Sequence, residues 1–153
     1  QIEGTYADPG LTLQKHPSEI GPAMLQQVGE AIHKVRWDDE DVANFLGCYL
    51  SEPKPHIFFD APARPLSAAR FAEAVQKHGV VLDLKTQMLC HGNTLFINGD
   101  AEPVAKASYR VLRELADARR LAAGSALSDE AMGLLYSWYQ DGYLAPDTRR
   151  RKI

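Results

Sequence analysis

The sequence predicts an α+β chain, mostly helical, in which a two-helix segment precedes a winged-helix-like domain with a small antiparallel sheet. Three observations carry this. Apolar residues recur at helical spacing in several stretches before residue 51 and after residue 65. The dipeptides Gly92-Asn93 and Asn98-Gly99 separate the short runs "QMLCH", "TLFIN" and "AEPV", a two-residue hairpin signal given twice. Four prolines within "SEPKPHIFFDAPARP", residues 51–65, prohibit regular helix there and divide the chain.

Taken in order, residues 1–16 read as an extended lead-in, 17–50 as a helical segment, and 51–65 as a connector. Residues 66–146 read as the winged-helix-like domain and 147–153 as a basic tail. The first helix is expected from Pro22 to Val35. Proline suits a first-turn position, where its missing N–H costs little, and Met24, Leu25, Val28, Ile32 and Val35 form one stripe. The second helix starts at "WDDEDV". Asp38 is a candidate N-cap, and Asp39, Glu40 and Asp41 favour the positive end of the helix dipole. Val42, Phe45, Leu46, Tyr49 and Leu50 then make an apolar stripe. Two helices alone have too little surface to cover both stripes. They should pack on another domain or on a second copy, and Met24, Leu25, Val28, Phe45, Leu46 and Tyr49 are the candidate anchors of a homodimer interface.

The connector should be ordered and extended, because Ile57, Phe58 and Phe59 call for burial. Ser67 is positioned to cap a helix reaching His78, with Gly79 as its terminator and Leu66 and Phe71 as a hydrophobic staple. "VVLDL" and the two hairpins follow. A helix is expected over Val104 to Leu121 with Val104, Val111, Leu112, Leu115 and Ala118 inward. A last helix begins after Ser128, buries Leu134, Leu135, Trp138 and Tyr139, and ends at Gly142. The order is that of a winged helix with its parts permuted. In the usual DNA-reading version the recognition helix precedes the wing.

Composition restricts the function. The hydrophobic fraction of 45% and charged fraction of 24% fit a globular protein. No apolar run approaches the roughly 18–20 residues of a membrane span, and the first residues lack the pattern of a secretory signal. The chain does not begin with Met, which suggests a fragment or a processed chain. Cys48 and Cys90, with no CxxC, read as buried reduced thiols in a cytoplasmic setting. Residues 1–60 hold four bases against ten acids; the remainder holds thirteen bases against ten acids, four of those bases in the tail Arg149–Lys152. Charge is therefore concentrated in a tail, not in a basic domain.

Motifs for chemistry are wanting. The stretch "QMLCHGNTLFINGD" contains a Cys, a His, two Asn and an Asp, but two tight turns account for Gly92, Asn93, Asn98, Gly99 and Asp100 together. Neighbouring Cys90 and His91 point to opposite faces of a strand and are badly placed to share an ion. None of His16, His33, His56, His78 and His91 is followed at the second position by Asp or Glu, as an iron-binding facial triad requires. HExxH, GxSxG and GxxxxGK[ST] are absent, so a hydrolase has no anchor. "DDED" at 38–41 reads as a solvated helix start. Lys106, Arg110, Arg113, Arg119 and Arg120 are interleaved with Glu114 and Asp117, a thin density for neutralising phosphates. A winged-helix module binding ribosomal RNA or DNA is the alternative function, carried mainly by the tail.

"YADPGL" at 6–11, "FLGCYLSEPKP" at 45–55 with "FFDAPARP" at 58–65, and "LFINGD" at 95–100 together resemble the C-terminal half of the cupin-4 proteins, the bacterial JmjC-type ribosomal oxygenases. The resemblance implies a larger parent. In that family an N-terminal cupin holds Fe(II) and 2-oxoglutarate and hydroxylates a ribosomal protein, a helical region dimerises, and a winged-helix domain follows. No position here matches the iron triad or the 2-oxoglutarate-binding residue, so no catalytic, cofactor-binding or metal-binding residue is assigned to this chain. The expected role is a non-catalytic dimerisation and scaffold region. Its expected partners are a second copy, the parent's cupin domain and, through the parent, a ribosomal protein.

Overall fold

Pro22 starts α1 (Pro22–Lys34) behind an extended Gly21, and His33 and Lys34 supply the basic last turn that the helix dipole favours. The computed structural model describes residue 18 and residues 20–148. The lead-in with its "YADPGL" and the basic end 149–153 lie outside the described residues. The chain divides into two units, 1–38 and 39–153. In the first, α1 has no buried residue; Leu25, Val28 and Ile32 are exposed and Met24 is half-buried.

The second unit runs α2 (Asp39–Ser51), α3 (Ala68–His78), β1 (Val80–Leu82), β2 (Met88–His91), β3 (Thr94–Ile97), β4 (Asp100–Pro103), α4 (Lys106–Ala118), β5 (Arg120–Leu121), α5 (Asp129–Gln140) and β6 (Leu144–Pro146). Two antiparallel three-stranded sheets form, ordered β5-β1-β6 and β2-β3-β4. The expected division at the connector differs from this one. The second helix sits in the same unit as the sheets because it lies on β2, β3 and β4.

Both hairpins form as the turn residues require. Gly92 alone has positive φ in the first turn (57°), a type II′ pattern; Asn98 (51°) and Gly99 (99°) both do in the second, a type I′ pattern. Asn98 also closes the sheet end, its Oδ1 accepting from the Gln87 N–H at 2.9 Å. Ser67 caps α3, its Oγ accepting from the Arg70 N–H, and Gly79 ends it at φ 74°. Ser128 caps α5 in the same way through the Ala131 N–H. The core gathers Phe71, Val75, Val80, Leu95, Ile97, Leu112, Leu115, Leu135 and Trp138, drawn from helices and both sheets.

Several expectations are corrected. The helix expected to Leu121 stops at Ala118, because Arg119 turns left-handed (φ 59°) and the next two residues pair with β1; Ala118 is exposed. Ala105 gives α4 no side-chain cap, and the Glu130 carboxylate from α5 accepts its N–H instead. Leu134 is half-buried, and so are both free thiols, Cys48 and Cys90. In the connector Ile57 and Phe59 are half-buried but Phe58 is 77% exposed. Backbone and Phe59 do the anchoring. Lys85 donates from Nζ to the Phe58 carbonyl at 2.7 Å and pairs with Asp60 at 3.1 Å, while the Phe59 ring meets Tyr143 edge-on at 4.7 Å.

Tyr143 also sets a pH limit. Burial, then the charges of Asp141 and Asp100, hold its phenol above the usual tyrosine range. The folded state therefore binds that proton more tightly than the unfolded chain. The stability this contributes is present below the unfolded value, near pH ~10, and is lost as pH rises through the folded value. Melting temperatures measured from pH 8 to 11 should fall more steeply for the wild type than for Tyr143→Phe; parallel curves would show that the phenol is not the group responsible.

Candidate functional site

The second helix has two sides of different character. Ala43, Asn44, Gly47, Cys48 and Ser51 turn toward its own sheet, and Gly47 and Ser51 are buried. These are mostly small residues, so the helix axis approaches the strands closely. The Phe96 ring fills the space where a Cβ on residue 47 would stand. Ser51 Oγ accepts from the Gly99 N–H at 3.1 Å and donates to the Cys48 carbonyl, tying the helix end to the second hairpin turn.

The large side chains face the other way. Phe45 is 55% exposed, Leu46 45% and Tyr49 63%, and Val42 and Leu50 are also exposed. Phe45 and Tyr49 stack one turn apart, with centroids 5.8 Å apart and planes 13° from parallel. Asp39, Val42, Leu46 and Leu50 border a depression whose other wall is Leu89, Cys90 and His91 of β2, with Phe96 below. Single exposed apolar residues are ordinary; here five large apolar side chains of one helix are exposed together.

Of the six anchors expected from sequence, Phe45, Leu46 and Tyr49 come together on this face. Met24, Leu25 and Val28 belong to α1 in the other unit, where Leu25 and Val28 are exposed and Met24 is half-buried. Leu89 was missed. The alternation in β2, with Met88 and Cys90 inward and Leu89 and His91 outward, is the signal that could have found it.

The cations around α4 do not assemble a phosphate-binding surface. Arg119 points inward and donates to the Asp83 carbonyl at 2.7 Å and the Thr86 carbonyl at 3.1 Å. Arg113 faces Asp117 at 3.6 Å and Arg120 faces Asp147 at 3.9 Å. Lys106 and Arg110 remain without an ion pair among the described residues, too few to neutralise a run of phosphates. Among the described residues no three His, Cys, Asp or Glu converge as metal ligands. None of the described helices is long and apolar enough to cross a membrane.

Comparison with known proteins agrees with this architecture. Two solved structures from Escherichia coli share the fold. The X-ray structure of ycfD matches 93% of this chain at 20% identity with a TM-score of 0.63. The structure of YcfD, a ribosomal oxygenase, in complex with cobalt and 2-oxoglutarate matches 93% at 21% identity with a TM-score of 0.64. The matched region is 39% of the first of those chains and 40% of the second, so this chain spans about two fifths of their length. No curated protein matches the chain. Residues 34–145, well over half of the sequence, match the family described as ROXA-like winged helix. The match takes in α2 and the connector as well as the hairpins and the final helices, and the chain belongs to the ROXA-like winged-helix family.

Proposed function

We propose that this chain is the non-catalytic dimerisation and scaffold region of a larger Fe(II)- and 2-oxoglutarate-dependent oxygenase acting on a ribosomal protein in the cytoplasm. It holds two copies together through residues of about 17–50, and through the winged-helix unit it positions the cupin domains. The observation that carries the reading is the division of labour on α2: small residues inward, Phe45, Leu46 and Tyr49 outward. Burying one such large side chain contributes roughly 1.5–3 kcal/mol. Several per copy are enough to exceed the roughly 4–15 kcal/mol that association costs. The solved ribosomal oxygenase with bound cobalt and 2-oxoglutarate supports the parent's chemistry. Among the described residues no His, Cys, Asp or Glu converge as ligands for that metal, and no step is assigned to them.

Sedimentation velocity of the chain tests the reading directly. A dimer is expected across the micromolar range, and a clean monomer at high micromolar concentration would count against it. Incubated with Fe(II), 2-oxoglutarate and a ribosomal-protein peptide, the chain should release no succinate above the blank; measurable release would overturn its non-catalytic role.

A further inference from the structure

We infer that the open edge of β2 takes up an extended, basic segment of another protein as an added strand. Two independent observations carry this: the edge is unpaired, and the groove beside it is lined by carboxylates and by no Lys or Arg. β3 lies on one side of β2 and no strand lies on the other. The Asn98 N–H donates to the Gln87 carbonyl at 3.0 Å, so residues 87, 89 and 91 bond toward β3. Met88 and Cys90 then turn their backbone N–H and C=O groups outward, and among the described residues those groups have no hydrogen-bond partner. A strand edge left open in this way is a template for another chain.

The edge borders the depression between α2 and β2, a groove of about 710 Å³. Val42, Leu46, Leu50 and Leu89 give it an exposed apolar wall for large side chains of the added strand. Phe45 and Tyr49 do not border it, and Leu46 alone is shared with the assembly anchors, so the inference goes beyond the assembly reading. Charge selects the occupant. Asp39 and Asp117 line the groove. More widely, α2 and the sheet of β2, β3 and β4 hold Asp39, Glu40, Asp41, Asp100 and Glu102 and not one Lys or Arg. Asp117 faces Arg113 at 3.6 Å, but both are exposed, and such a pair gives way to a partner's Lys or Arg at little cost. The strand edge bonds any backbone; the groove supplies the preference, for an apolar side chain with Lys or Arg beside it. Acidic segments and nucleic acid meet like charge here.

The test selects random peptides displayed on phage against the immobilised full chain. The enriched peptides should combine large apolar residues with Lys or Arg and lack Asp and Glu. With the tightest of them bound, hydrogen exchange followed by NMR should slow at the Met88 and Cys90 amides, while Leu89 and His91, already bonded to β3, change little. Methylating every second backbone nitrogen of that peptide should abolish binding in one register and spare it in the other. Asp39→Asn combined with Asp117→Asn should weaken binding about tenfold, with an unchanged melting curve. No enrichment, enrichment without a basic excess, equal effects of the two methylated registers, or free exchange at both amides would overturn the inference. Protection of those amides on concentrating the chain alone would put a second copy on the edge and overturn it too.

Discussion

The Gly47→Val variant is expected to lose about 3 kcal/mol of folding stability, the upper part of the range for overpacked cores, and to lose the dimer with it. Residue 47 is buried on the inner side of α2, and any Cβ there runs into the Phe96 ring. Phe96 is itself fully enclosed and sits in the middle strand of its sheet, so it has little room to retreat. The helix must lift off the strands, and lifting breaks the Ser51–Gly99 hydrogen bond at its end. Urea unfolding followed by circular dichroism reads the loss. The neighbouring position, exposed on α2, supplies the contrast, since Leu46→Glu should weaken association and leave the stability of the folded monomer almost intact. A Gly47→Val variant within about 0.5 kcal/mol of wild type, the range of a surface substitution, would mean that α2 is not seated as described.

Replacing Phe71 by alanine should cost about 3–5 kcal/mol, the range for emptying a buried aromatic site, and should spare the dimer constant under conditions where the chain stays folded. Phe71 is fully buried, stacked on Tyr139 at 4.8 Å and tilted against Tyr136 at 5.5 Å. Those two tyrosines hold the end of the connector. The Tyr139 hydroxyl accepts from the Leu66 N–H at 3.1 Å, and the Tyr136 hydroxyl donates to the Leu66 carbonyl at 3.0 Å. A cavity at residue 71 therefore removes packing from α3 and α5 and frees both rings that pin residue 66. The hydrophobic staple inferred from Leu66 and Phe71 is thus part of a four-residue cluster. A loss below about 1.5 kcal/mol, the level of a minor core trim such as Ile→Val, would show that the site collapses around the deletion.

Much of this was legible because it depends on neighbours in the chain. The Ser67 and Ser128 caps act on an N–H three residues away, and Gly79 ends its helix by its own φ. The two hairpin turns follow from residues that accept positive φ at the positions they occupy. The anchors Phe45, Leu46 and Tyr49 were legible as a helical stripe. That Ala43, Gly47 and Ser51 seat the helix on the sheet was not. Arg119 read as one of five scattered cations, yet its guanidinium closes the loop between β1 and β2 by bonding Asp83 and Thr86, more than thirty positions earlier.

By itself the sequence determined the helices, the caps, the two turns and the absence of a recognisable catalytic signature, since each rests on local periodicity or local chemistry. Only the tertiary structure decided the sheet of β5, β1 and β6, whose outer strands are two and three residues long and have no pattern of their own. They exist because β1 offers both its edges to them. The tertiary structure also decided which side of α2 is inward. Hydrophobicity alone would bury the larger side chains, but the sheet already carries Phe96, and a helix comes close to that ring only through Gly47 and its small neighbours. Size complementarity across the contact overrides apolarity along the helix, and it leaves Leu46, Tyr49 and Leu50 exposed.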